Sequence, residues 1–182
     1  SQFEGGWKEI NAGAPGRRLV GRVVTAVFMP LRPDLNGAIN KAAAAEKRVA
    51  RGQNSWVIDT LQPGDVLVVD LYGKIENGTF IGDNLGTSIY AKTKKGVVVH
   101  GSVRDLSGIQ EIEGFHGFVR DFHPTAIADT TLVGINVPIR IGGVTVLPGD
   151  VILSDPEGLT FIPPHLAEKV VVITGSTRGI GR

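Results

Sequence analysis

An arginine and an aspartate, Arg104 and Asp105, stand side by side at the end of the run VVVHGSVRD, residues 97–105. A guanidinium grips a carboxylate through paired N–H donors, and a lone carboxylate is a hard oxygen ligand suited to a divalent cation. By itself an Arg–Asp dipeptide at a strand end is more often a surface ion pair. A second stretch, GDNLG at residues 82–86, changes the weighing. A glycine turn that opens a helix presents backbone N–H groups without helical partners at the positive end of the helix dipole, which suits an anion. Brought together, the two stretches offer what a metal-dependent aldolase or decarboxylase needs: donors for a 2-oxo acid and stabilisation of an enolate. A cation held by a single aspartate completes its shell with water or substrate, as Mg²⁺ does.

The elements that must position these residues follow from pattern. Val97, Val98 and Val99 make residues 97–103 a buried strand that delivers Arg104 and Asp105 to a sheet end, where ligands bind in open α/β sheets. Residues 84–95 read as a helix and residues 66–71 (VLVVDL) as another strand. A right-handed β-α-β unit over these three segments would bring residues 82–85 and Arg104–Asp105 to one sheet edge. Residues 72–80 between them read as a surface loop or hairpin.

Elsewhere, residues 18–29 form a β-branched strand closed by Pro30 and Pro33, and residues 34–50 form an alanine-rich helix stopped by Gly52. Pro63-Gly64-Asp65 launches one strand, and Pro148-Gly149-Asp150 launches another, residues 151–154, so one turn-to-strand device is used twice. Residues 105–112 read as a short helix and 115–119 as a strand. Residues 137–141 and 144–147 make a hairpin across Gly142-Gly143, with Pro138 at its entry, and residues 159–162 form a last core strand. No element is assigned to residues 120–136. Residues 1–16 read as an irregular arm anchored by Trp7. The mixture of β-α-β units and hairpins predicts a layered α/β domain with a mixed sheet.

Composition narrows the function classes. At 182 residues, with 42% hydrophobic and 20% charged residues, the chain supports one globular domain. Nineteen basic against 18 acidic residues give no electrostatic footprint for nucleic acid or an anionic membrane. The absence of cysteine excludes a disulfide scaffold, a thiolate nucleophile and a cysteine zinc site, which turns any metal towards Mg or Mn. No apolar run is long enough to span a bilayer and residues 1–10 lack a signal-peptide layout, so a cytoplasmic location is expected.

The runs PGDVLVVD (63–70), GDNLG (82–86), GVVVHGSVRD (96–105) and VPIRIGGVTVLPGDVILSDPEGLTFIP (137–163) together resemble the regulator-of-ribonuclease-activity-A-like family. That family includes the class II 4-hydroxy-4-methyl-2-oxoglutarate/4-carboxy-4-hydroxy-2-oxoadipate aldolases, and also a ribonuclease E inhibitor. The resemblance covers roughly residues 17–171, which sets an aldolase-like domain between an arm (1–16) and a tail (172–182). It implies a swivelling ββα-type α/β/α fold, a homotrimer or a dimer of trimers, and active sites between subunits. Matched by position, Gly82, Asp83, Asn84 and Leu85 correspond to the substrate-binding turn, Arg104 to the substrate-binding arginine and Asp105 to the metal-binding aspartate, with Arg104 and Asp105 as the catalytic pair. The implied reaction is cleavage of a 4-hydroxy-2-oxo dicarboxylic acid to pyruvate and a second oxo acid, with Mg or Mn as cofactor and oxaloacetate decarboxylation as a side activity. The alternative it implies is a non-catalytic regulator that binds a ribonuclease through its oligomer surface. His116 stands where the family usually has proline, and Asp121 and His123 replace a smaller pair before Pro124.

Four histidines remain. His100, in the valine-rich strand, is expected to be buried or half-buried and not a ligand. His116 and His123 flank a strand and could line one cleft, but without metal-pair spacing each is read as structural or solvent-facing. His165, after Pro163-Pro164, is read as a surface residue. Residues 170–182, VVVITGSTRGIGR, are similar to the glycine-rich turn of short-chain dehydrogenases. Since the later strands of such a fold do not follow, NAD binding by this chain is not expected.

Overall fold

The computed structural model describes residues 2–11, 18–48 and 52–167. In chain order the elements are β1 (Gln2–Glu4), β2 (Lys8–Glu9), β3 (Val20–Pro30), α1 (Pro33–Ala45), α2 (Gln53–Asp59), β4 (Asp65–Thr79), α3 (Asp83–Thr93) and β5 (Val97–Val103). There follow α4 (Leu106–Gln110), β6 (Gly117–Phe122), β7 (Thr130–Ile135), β8 (Ile139–Ile141), β9 (Val144–Val146), β10 (Val151–Asp155) and β11 (Gly158–Ile162).

The centre is a parallel block in which β3 pairs with β4, β4 with β5 and β5 with β6. Alternate side chains of this block enter two separate cores. Val24, Ala26, Phe28, Leu67, Val69, Val97, Val99 and Val119 face the helices, where Val57, Ile58, Ile89 and Ile109 cover them. Val23, Val66, Val68, Val98 and Phe118 face the other way, against Ile139, Ile141 and Val146 of the β8–β9 hairpin. A strand covered on both faces has no polar side, which is why these segments read as unbroken apolar runs. The layered α/β fold with a mixed sheet is therefore present, with the hairpin on one face and the helices on the other.

Antiparallel strands extend the block on both sides. β10 pairs with the first half of β3 and β7 with its second half, while β11 and β1 continue outward from β10. The PGD turns beside β3 are the same device. Gly64 and Gly149 take φ of +86° and +88°, a left-handed conformation that favours glycine. The following aspartates turn back to accept a backbone N–H, Gln62 to Asp65 at 2.8 Å and Leu147 to Asp150 at 2.9 Å. Asp65 also accepts two bonds from Arg22 on β3.

Four sequence expectations need correction. The arm is not irregular, since β1 pairs with β11 and β2 with β6. Trp7 has company as an anchor: the Arg120 guanidinium lies 4.1 Å over its ring and pairs with Glu4. The alanine-rich helix closes at Ala45, and a separate helix, α2, follows. Its Gln53 takes hold of three partners at once, bonding Asn36 and Asn40 of α1 and accepting the Leu132 N–H of β7. β7 itself falls within residues 120–136, where the sequence pattern predicts no element. The fourth correction, at residues 72–80, bears on the site. The dehydrogenase-like residues 170–182 lie outside the described residues.

Candidate functional site

Of residues 72–80, all but Phe80 are not a loop apart from the sheet but the continuation of β4. Tyr72, Gly73 and Asn77 take positive φ, and the strand makes an excursion between Lys74 and Gly78 before rejoining β5. Lys74 pairs with Gly101 and Thr79 with Ser102 across two bulges. The Thr79 and Ser102 hydroxyls lie 3.0 Å apart, and Ser102 donates to the Ile75 carbonyl at 2.6 Å. From there the Phe80 N–H bonds Ser102, and the Arg104 N–H bonds the Ile81 carbonyl at 3.1 Å. This extension, in addition to the helix crossover, lays Gly82 against Arg104.

The contact is close. A Cβ on Gly82 would stand 2.2 Å from Asp105 Oδ2 and 3.2 Å from Arg104 Nε, so only glycine leaves room for both side chains. Gly82 precedes α3, whose first bond runs from the Gly86 N–H to the Gly82 carbonyl. One donor of this turn is already engaged, because Asp83 Oδ1 accepts the Asn84 N–H at 2.6 Å. Leu85 packs partly buried on the helix-side core and fixes the turn to the sheet. α4 lies against the start of α3, where a Cβ on Gly108 would meet the Asp83 Cβ at 2.9 Å.

Asp105 occupies the cap position of α4 at φ 54° and ψ 42° without a side-chain capping bond. An aspartate in that place ordinarily spends its carboxylate on the helix N–H groups. Here the left-handed backbone withholds the carboxylate from the cap and leaves it 3.3 Å from Arg104 Nε. Left-handed geometry at a residue other than glycine is a strain that clusters at binding sites. Both side chains are a little under half exposed, at 43% and 45%, so the pair is of the weak, solvated kind that a ligand can displace.

Arg104 and Asp105 line a cleft of about 250 Å³ with Val103, Leu106, Phe122, His123 and Pro124. His123 thus belongs to the site, although sequence reading favoured a structural or exposed role. The available signal was its position one residue beyond the strand parallel to the one that delivers Arg104. His116 does not join it. Its ring is buried, with Nε2 3.0 Å from Glu9 Oε1 on β2 and its face against Phe118. Burial raises the Glu9 carboxyl above its ordinary value. His100 is half-buried and pairs with Asp70 at 3.3 Å, in keeping with a structural role.

Asp121, at the end of β6, is lowered from the usual carboxylate range first by the bond from Lys8 and then by the Phe122 N–H. A larger cavity of about 580 Å³ lies between α1, α2 and the approach to β7. Carboxamides and alanines line most of it, and it holds neither Arg104 nor Asp105. The smaller cleft is the better candidate because a cation, a carboxylate and an imidazole converge there.

As a metal holder the site offers oxygen and one carboxylate. Among the described residues there is no group of three histidine or carboxylate side chains that could cage an ion. Asp105, freed from capping and in contact with solvent, fits a cation that keeps most of its waters, as Mg²⁺ does, and does not fit a caged Zn²⁺.

The family model described as "RraA-like: Aldolase/RraA" matches residues 2–161. A 4-hydroxy-4-methyl-2-oxoglutarate aldolase of Thermus thermophilus is 34% identical over 108 residues, 59% of this chain and 64% of that protein. A Halalkalibacterium halodurans protein that bears the same name provisionally is 37% identical over 132 residues, 68% of this chain and 60% of its own length. The chain therefore spans less than two thirds of either relative. The crystal structure of Streptomyces coelicolor RraAS2, described as an unusual member of the RNase ES inhibitor RraA protein family, superposes with a TM-score of 0.75. It is 28% identical, over 97% of this chain and 80% of that one. No helix among the described residues is long and apolar enough to cross a membrane.

Proposed function

The chain belongs to the RraA-like family, and from that premise we propose that it is a divalent-metal-dependent aldolase acting on 4-hydroxy-2-oxo dicarboxylic acids. The observation that carries the reading is the packing of Gly82 against Arg104 and Asp105, which makes one site of two separated stretches. Arg104 grips the carboxylate next to the 2-oxo group, and its charge opposes the negative charge that grows on the 2-oxo oxygen. The start of α3 adds the positive end of its dipole through the N–H groups that Asp83 leaves free. Asp105 would hold Mg or Mn, which supplies Lewis acidity to the 2-oxo group. Leu106, Phe122 and Pro124 supply the apolar walls that keep water from the growing charge.

In the cleavage, the 4-hydroxyl gives up its proton, the C3–C4 bond breaks and C4 becomes the new carbonyl. The electron pair of that bond becomes the enolate of pyruvate, which takes a proton at C3. Oxaloacetate decarboxylation passes through the same enolate and is the expected side activity.

A homotrimer or homohexamer is part of the same reading. α1 supports it: within its thirteen residues only Ala43 is buried, while Leu35 is exposed, as are nearby Met29 and Leu31. An isolated helix of that length is marginal in water and gains from being covered. The test is release of pyruvate from 4-hydroxy-2-oxo acids with and without Mg²⁺, in the wild type and in Asp105→Asn. Asparagine tolerates the left-handed backbone, so the fold is kept while the charge is lost. Metal-dependent release that disappears in Asp105→Asn supports the reading; unchanged turnover in the variant refutes it.

The family description attached to the Streptomyces structure favours a second reading, a regulator that binds a ribonuclease through its oligomer surface. Inhibition of a ribonuclease by Asp105→Asn as strong as by wild type, with no pyruvate release from either, would select it.

A further inference from the structure

The cleft beside Arg104 and Asp105 has a third polar wall, His123, and the contacts of its ring point to which nitrogen donates. The residue is pinned at its backbone: its N–H donates to the Val103 carbonyl at 3.0 Å, and its carbonyl accepts from the Thr79 hydroxyl at 3.2 Å. The ring is pinned as well. Nδ1 lies 3.0 Å from Thr125 Oγ1 and 3.4 Å from the Thr125 backbone nitrogen. A backbone N–H can only donate, so Nδ1 is the acceptor. With Nδ1 accepting from that N–H, the Thr125 hydroxyl, which accepts the Asn77 N–H at 2.7 Å, can give its own hydrogen to Nδ1 as well. A neutral imidazole that accepts at Nδ1 carries its proton at Nε2.

We propose that His123 is a specificity-determining residue that donates from Nε2 to the second carboxylate of a dicarboxylic 2-oxo acid whose first carboxylate is held by Arg104. The inference rests on the aldolase reading of this cleft and deepens it. A donor needs an acceptor, and a carboxylate is the strongest one a small oxo acid can bring. The charged groups around the ring are Arg104, Asp105 and Asp121. Asp105 faces Arg104 at 3.3 Å, while Asp121 is occupied by Lys8 Nζ at 2.6 Å and by the Phe122 N–H at 2.8 Å. Both nearby carboxylates thus have other partners. A ligand lacking the second carboxylate would leave this donor unmet, and unmet donors in apolar clefts discriminate strongly between ligands.

The experiment is calorimetric binding of 2-oxoglutarate and of 2-oxobutyrate, which lacks the second carboxylate, to the full chain in Mg²⁺. The wild type is expected to prefer 2-oxoglutarate. His123→Ala should cut the ratio of the two affinities by roughly 10- to 100-fold, the range for a hydrogen bond to a charged group. His123→Gln, whose side-chain amide can place an N–H near the Nε2 position, should restore much of it. A wild type without preference, or a ratio that survives in His123→Ala, overturns the proposal. So does equal weakening of both ligands, which marks a structural role. Pyruvate release is measured in parallel: preference lost in His123→Ala without any wild-type turnover retains His123 and removes the aldolase reading. Turnover with the ratio intact in the variant does the reverse.

Discussion

Replacing Gly82 by alanine adds one methyl group at the point where two segments of the site touch. Its φ of −117° and ψ of −164° are open to any residue, so the backbone itself does not object. The added Cβ would stand 2.2 Å from Asp105 Oδ2, whereas ordinary contact begins near 3.4 Å, and the oxygen must therefore retreat by about 1.2 Å (3.4 − 2.2). Asp105 can yield, because its carboxylate is 45% exposed and swings into solvent without crossing a packed core. The cost should thus appear in function more than in folding. A misplacement of about 1 Å in a catalytic group is worth roughly 100-fold in rate, or about 2.7 kcal/mol of transition-state stabilisation. Alanine for glycine at the cap of α3 costs about 0.5–1 kcal/mol, or roughly 1–4 °C in a protein of this size. Pyruvate release from a 4-hydroxy-2-oxo dicarboxylic acid, followed beside a thermal melt, reads both quantities. Turnover within about threefold of wild type would show that Gly82 and Asp105 do not form one site. A rate loss matched by unfolding at the assay temperature would show the glycine to be merely structural.

The two PGD turns offer a paired test of stability, read by urea denaturation. Asp65→Ala leaves the Gln62 N–H without its acceptor and removes both Arg22 bonds, for a loss of about 2–3 kcal/mol; Asp150→Ala loses the single Leu147 bond, about 1 kcal/mol. Equal losses would refute the weight given to Arg22. The acid limb of stability should depend on Lys8. Since the Asp121 carboxyl is lowered below 3.8 by the Lys8 bond, its contribution is present above that value and is lost as pH falls through the folded-state value. Lys8→Ala should therefore flatten the loss of stability as pH falls below the usual carboxylate range, and an unaltered acid limb would show that the pair contributes nothing.

Much of the site could be read from sequence because its parts are local. The valine run places Arg104 and Asp105 at the end of β5, and a glycine turn before a weakly amphipathic helix places Gly82 at the start of α3; both follow from short-range pattern. The same holds for the PGD turns, where a left-handed glycine and a bonding aspartate are adjacent in the chain. Tertiary structure decided what depends on partners distant in sequence. Residues 72–80 carry turn-forming residues and read as a loop, yet they pair with β5 because Ser102 and Thr79 supply the bonds the bulges leave open. β1 and β2 are too short to declare themselves and exist because β11 and β6 have open edges. His116 and His123 illustrate the division most plainly. They are seven positions apart at opposite ends of one strand; one is buried against Glu9 of the N-terminal arm and the other faces the cleft. Nothing in their local sequence distinguishes them, because burial is set by which distant segment packs against each ring, and only the folded chain specifies that.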